Sequence, residues 1–198
     1  MKLLSRVTKL SGALALALML VMCAKKEEAE QTPAQESTTA QTETPQAEGG
    51  RGNATAAFAG KSVSISYGRP QLGGRDVLAL AQDGMVWRFG KDEATEIKSE
   101  VALQFGETVV PAGHYSLWLK KVNATEWQLI FNKNTGMWGA PTPTEGDVAS
   151  APATLTPSES AVETFTIEVT GDGESTGEIK ALWGTSIISA PFTVQAAM

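Results

Sequence analysis

Three arginines and one acid stand where a chain makes sites rather than core. Arg69 precedes Pro70, Arg75 follows Gly73-Gly74, Arg88 lies between Trp87 and Phe89, and Glu93 follows a short polar stretch after Arg88. Guanidinium forks match the planar oxygens of a carboxylate or sulfate, so Arg69, Arg75, Arg88 and Glu93 form the candidate ligand-binding or structural polar cluster. Trp87 and Trp138 supply flat apolar surfaces beside it and are the candidate aromatic surface. The same residues have a purely architectural reading, in which Arg–Glu pairs tie loops to a sheet and the tryptophans fill its ends. On sequence alone that reading is preferred, with Arg69, Arg88 and Glu93 gathered near a sheet end and Trp87 packed on them.

Other chemistry finds little support. His114 is the single histidine, placed between Gly113 and an alternating run. It is a weak candidate for general-base work and is better suited to capping backbone hydrogen bonds. With one histidine and one cysteine, no zinc set can be assembled, and Asp92, Glu93 and Glu96 lack the spacing of a calcium loop. No metal or other cofactor is therefore expected. There is no GxSxG elbow, Gly68, Gly73, Gly74 and Gly90 do not make a phosphate loop, and no carboxylate pair is fixed across a cleft. No catalytic residue is assigned.

The elements that must carry these residues are strands. In Tyr115–Lys120, Tyr115, Leu117 and Leu119 alternate with Ser116, Trp118 and Lys120; Glu126–Phe131 alternates likewise, and the polar stretch between them suits a hairpin. Val63, Ile65 and Tyr67 alternate with serines, and Glu163–Val169 alternates again. Shorter strands are expected at Val77–Leu80 and Met85–Phe89, two more between Ile97 and Val110, and final ones at Glu178–Trp183 and Ile187–Val194. Pro191 places that last segment at an edge or a bend. Ala140–Ser160, with Pro141, Pro143, Pro152 and Pro157, is expected to be a surface loop with at most a brief edge strand. Eight or nine short strands without a crossover helix predict an all-β fold, an antiparallel β-sandwich or jelly-roll-like arrangement, with a small β-barrel as the alternative.

The N-terminal third carries a different message. Lys2, Arg6 and Lys9 precede an apolar run, Leu10–Met22, that is short for a membrane span and fits a signal peptide. Leu20-Val21-Met22-Cys23 resembles a bacterial lipobox, so residues 1–22 are expected to be a lipoprotein signal peptide and Cys23 the lipidation site, carrying fatty acyl chains such as palmitate. A secreted protein that loses Cys23 with its leader is the alternative. Lys25-Lys26-Glu27-Glu28 resembles the charged export signal of surface lipoproteins. Residues 23–56, rich in Glu, Gln, Thr, Ala and Pro, read as a lipid-anchored flexible linker, and 57–198 as a single domain.

Without residues 1–22 the chain has 13 basic against 22 acidic residues, a formal balance of −9. Repulsion from phosphate makes nucleic acid an improbable partner. The expected partners are membrane lipid, through the acylated N-terminus, and an envelope glycan or protein; the domain is expected to be a monomer or weak oligomer.

Tyr67-Gly68-Arg69-Pro70, Gly74-Arg75, Val86-Trp87-Arg88-Phe89-Gly90, Glu93-Ala94-Thr95, Pro111 through Leu117, Trp127 through Asn132, Trp138-Gly139 and Glu163 through Ile167 occur in an order that resembles the exported family called domain of unknown function 2911. The resemblance covers most of the chain after Ser62. It implies a Bacteroidota-type envelope protein and leaves its activity open; the expected localisation is that of an outer-membrane lipoprotein, facing the periplasm or the cell surface. Where the family often has Thr, Asn and Thr, this chain has Phe89, Asp92 and His114. The expected function is a non-catalytic envelope lipoprotein with a binding or organising role; a small envelope enzyme acting on glycan or peptide is the alternative.

Overall fold

The computed structural model describes residues 50–195. They form ten strands: β1 (Arg51–Phe58), β2 (Lys61–Gly68), β3 (Val86–Arg88), β4 (Thr95–Ser99), β5 (Ala102–Phe105), β6 (Thr108–Val110), β7 (Gly113–Lys121), β8 (Glu126–Asn132), β9 (Asp147–Gly171) and β10 (Thr176–Gln195). All belong to one antiparallel sheet in the order β1-β2-β4-β7-β8-β9-β10-β5-β6, with β3 paired to β7 beyond the reach of β4. The end strands β1 and β6 do not pair, so the sheet does not close into a barrel.

The sheet folds over itself because its longest strands cannot stay straight. At about 3.3 Å per residue, a 25-residue strand would extend roughly 80 Å, several times the radius of gyration, about 15 Å, of a domain this size. β9 instead changes partner along its length, pairing with β8 over Asp147–Thr154 and with β10 over Thr154–Gly171. In β10 the register shifts on both sides of Gly184, whose φ of 59° is left-handed. A bulge of this kind bends a strand and increases its twist.

Folding over brings strands far apart in the sheet order face to face. Phe105 of β5 meets Phe131 of β8 at 5.6 Å, Tyr67 of β2 meets Phe165 of β9 at 5.9 Å, and Phe58 of β1 meets Phe192 of β10 at 5.3 Å. This is a β-sandwich-like core of the kind that alternation predicts: Val63, Ile65 and Tyr67 are buried, whereas the intervening serines are half-buried. β7 departs from simple alternation. Ser116 through Leu119 are all buried, because Trp118 on the outer face packs with Ala94 and Ile130 into a second small core, flanked by Met137.

Several expectations require correction. The fold begins at Arg51 rather than residue 57: Ala54 and Phe58 are buried in β1, which pairs along its whole length with β2. Small side chains suffice there, so the lack of large aliphatics was a poor sign of disorder. Val77–Leu80 is a turn, closed by Leu80 N–H to Val77 C=O at 3.3 Å, not a strand. Residues 97–110 contribute to three strands rather than two. Asp147–Ser160 is not a loop but the first half of β9, where β8, over Asp147–Thr154, and β10, from Thr154 onward, supply the pairing that local composition disfavours. The two C-terminal segments are one strand, and Pro191 falls where β10 has left β9 at Ser189 and has yet to meet β5 at Thr193. A residue without an N–H costs the ladder nothing at that point.

Candidate functional site

At one place the chain crosses itself at backbone distance. A Cβ on Gly68 would lie 1.9 Å from the Lys91 carbonyl oxygen, and one on Gly90 would lie 2.9 Å from the Gly68 carbonyl oxygen. Only glycines permit this crossing, which fixes the end of β2 against the segment after β3. Gly90 has φ 146°, and the buried Thr95 hydroxyl donates to the Phe89 carbonyl just before it.

The loop after β2 is then pinned to β9. Phe165 N–H donates to Pro70 C=O at 2.9 Å, Leu72 N–H to Glu163 C=O at 2.8 Å, and Gly73 N–H to the Glu163 carboxylate at 2.9 Å. Arg75 N–H closes a turn on Leu72 C=O at 3.2 Å, and Arg75 is exposed. Beneath the crossing, Phe165 is the hub of an aromatic cluster, with Tyr67 at 5.9 Å, Phe89 at 5.4 Å and Trp183 of β10 at 5.5 Å, all edge to face. Trp87 rests on Trp127 at 6.5 Å.

These supports enclose a cleft of about 300 Å³. Arg75, Arg88 and Lys91 line it together with the indoles of Trp87 and Trp183; Pro70, Val77 and Leu80 add apolar surface, and Gln71 and Gly90 complete it. Among the described residues, no carboxylate is in the lining. Lys91 has an acidic neighbour outside it, Asp92 at 3.6 Å. Within the described residues Arg75 and Arg88 make no ion pair and no side-chain hydrogen bond. Both are exposed, and the Arg88 stem lies along Gly139, where a Cβ would come within 3.1 Å of the Arg88 Cδ. In a chain of net negative charge, this is a local concentration of unneutralised cations over apolar walls, the arrangement that draws in and orients an anion.

The structure thus brings together Arg75, Arg88 and Trp87 of the sequence-derived candidates and separates the others. Glu93 is held by Arg51, not by Arg88. The Arg51 Nη1 donates to the Glu93 carboxylate at 3.2 Å and to its carbonyl at 3.3 Å; Nη2 donates to the carbonyls of Ser66 at 2.9 Å and Ala94 at 3.1 Å, and Nε to the Ser66 hydroxyl at 3.1 Å. The fold-supporting cluster foreseen around Glu93 exists with a different arginine. Arg69 is half-buried behind Pro70 and outside the cleft lining. Trp138 is 56% exposed, bridged through its backbone to Glu93, and also outside the lining.

His114 belongs to another constellation. Its Nε2 lies 2.8 Å from Glu96 Oε2, while Glu96 Oε1 accepts from the Gly136 amide at 2.5 Å. Partial burial works to raise the Glu96 pKa, but the Gly136 amide, His114 and the Arg51 charge outweigh it and hold the carboxyl below its ordinary value. The pair fastens the segment carrying Met137 and Trp138 to the sheet. Asp92, Glu93 and Glu96 are each engaged by a different partner, and among the described residues no group of three or more His, Cys, Asp or Glu is placed to hold a metal ion.

Sequence reasoning missed Arg51, Lys91 and Trp183. Arg51 stood in the assigned linker; Lys91 directly follows the Arg88-Phe89-Gly90 turn and could have been included with it. Trp183 closes an alternating run, where a core role is the ordinary expectation. Cys23 and the signal and most linker residues lie outside the described residues. Among those described, no helix is long and apolar enough to cross a membrane.

The model of a family described as protein of unknown function (DUF2911) matches residues 50–192. The chain belongs to that family. No curated protein and no solved structure matches it.

Proposed function

We propose that this DUF2911 protein is a cell-envelope lipoprotein whose domain binds an anionic ligand in the cleft of Arg75, Arg88 and Lys91. The observation that carries this reading is the composition of the cleft, which among the described residues has three cations, two indoles and no acid. Two of those cations have no protein partner within the described residues, so their charge is available to a ligand. The walls lower the local dielectric and the guanidinium forks supply geometry, which is how a small number of polar groups orients a bound molecule. Binding is favoured over turnover because, among the described residues, the lining carries no carboxylate, histidine, serine or cysteine, and its one amine, Lys91, lies 3.6 Å from Asp92.

Anchoring is the second half of the reading and rests on the lipobox-like Leu20–Cys23. Acylated Cys23 in the outer membrane and an acidic, polar stalk would present the cleft to envelope material, on the periplasmic or the outer face. The ligand half is tested by titration calorimetry of the purified protein with sulfate and acetate at low and at high salt. Binding that weakens with salt and is lost in the Arg75→Ala, Arg88→Ala double variant is expected. Binding of equal strength in that variant would remove the cleft from consideration.

A further inference from the structure

The size and walls of the cleft say more about its occupant than that it is an anion. Three cations line it, of which one, Lys91, is already 3.6 Å from Asp92. That leaves two guanidinium groups without a partner among the described residues, a pair of forks that can grip one carboxylate or sulfate group between them. A volume of about 300 Å³ stands at the lower end of small-ligand sites, roughly 300–1,000 Å³, and admits one ring-sized unit. Trp87 and Trp183 are each half-buried and give that ring apolar surfaces to lie on.

The cleft is also open to solvent, with Arg75, Leu80 and Arg88 of its lining exposed. A wholly aromatic or aliphatic body would leave apolar surface in water there. A ring with an apolar face and a hydroxylated edge would not, since the edge stays hydrated while Gln71 adds a polar residue to the wall. Taking the anion-binding reading of this cleft as its basis, we infer that the ligand is a terminal acidic sugar: a single pyranose unit bearing one carboxylate or sulfate, with its ring against Trp87 and Trp183 and its charged group on Arg75 and Arg88.

The test is titration calorimetry of the full chain with five probes: methyl glucuronide, glucose 6-sulfate, methyl glucoside, inorganic sulfate and phenylacetate. At least one acidic sugar should bind roughly tenfold or more tightly than the neutral glucoside, the sulfate ion and phenylacetate. Arg88→Ala and Trp87→Ala should each weaken that binding by roughly tenfold, the first through the charged group and the second through the ring. Arg88→Lys should fall between wild type and Arg88→Ala, because it keeps the charge and loses the fork. Thermal melts serve as the folding control, and Trp183→Phe replaces Trp87→Ala if the latter melts early. If sulfate and phenylacetate bind as tightly as the sugars with the same dependence on Arg88, the sugar assignment is overturned while the anion site stands. If no probe binds, or binding ignores both Arg75 and Arg88, the anion site is overturned too. Equal binding of the neutral glucoside also rejects the assignment.

Discussion

Truncating Arg51 should damage the fold, whereas truncating Arg88 should not. Arg51 ties β1 to the backbone of β2 and to the segment entering β4 through five hydrogen bonds. A hydrogen bond to a charged group contributes about 1.5–3 kcal/mol when buried. The Arg51 side chain retains 31% of its exposure, and the released carbonyls can rehydrate, so the combined loss is nearer 1–3 kcal/mol than the sum of five bonds. The Glu93 carboxylate contributes little of it, since its side chain is 56% exposed and a surface ion pair is worth roughly 0–1 kcal/mol. Arg88 is exposed and holds no polar partner within the described residues; its loss removes only the packing of its stem on Gly139 and should stay within about 0.5 kcal/mol. Urea unfolding of wild type, Arg51→Ala, Glu93→Ala and Arg88→Ala, fitted with a common slope, ranks the four. Arg51→Ala should lie well below the others, melting several degrees early. A drop of more than about 1 kcal/mol in Arg88→Ala, with Arg51→Ala near wild type, would refute the assignment of scaffold and site.

Other consequences can be measured on the same material. Glu96 has a depressed carboxyl pKa, so its contribution to stability is present above its ordinary value of 4.5 and is lost as pH falls through the lower folded value. The stability gap between wild type and Glu96→Gln should therefore narrow as pH falls below 4.5; a gap that widens in acid would contradict the contacts to His114 and Gly136. Gly68→Ala puts a Cβ into the Lys91 backbone and should cost about 3 kcal/mol or more, and an unfolding midpoint matching wild type would show that the strands do not cross so closely. Cys23→Ser should move the protein from the membrane fraction to the soluble one and remove the acyl mass from the mature N-terminus. An unacylated wild-type N-terminus would end the lipoprotein proposal.

How much of this was legible in the chain depended on whether the partner of each segment was local. β2 and Glu163–Val169 show period-two alternation because one face of each is the more deeply buried, and the β7–β8 hairpin was legible from its alternating residues and polar turn although Trp118 and Ile130 bury part of its second face. The bounds of β2, β7 and β8 followed within a few residues, whereas Glu163 is not the start of its strand. The first half of β9 gives no such signal. Its Ala, Pro and Thr residues pair because β8 offers an edge there, which a property of the segment alone does not reveal. Arg88, Arg75 and Trp87, which line one cleft, could be singled out in the chain because charged and aromatic groups beside glycine and proline stand at strand ends and turns. Their companions were not. Trp183 reaches the cleft from β10, and Arg51 reaches Glu93 from 42 positions away, so both depend on how the sheet folds over. The competition between Arg51 and Arg88 for Glu93 is decided by tertiary structure, and proximity in sequence favoured the wrong arginine.

The central claim is that Arg75, Arg88, Trp87 and Trp183 form one anion-binding cleft. It is tested most directly by following the arginine Nε and tryptophan indole resonances by NMR while methyl glucuronide or glucose 6-sulfate is added. Saturable shifts should occur at Arg75, Arg88, Trp87 and Trp183, while the buried Trp118 and the exposed Trp138 stay in place. Shifts centred on Trp138 and His114, or no saturable shift at any of the four cleft residues, would contradict the account.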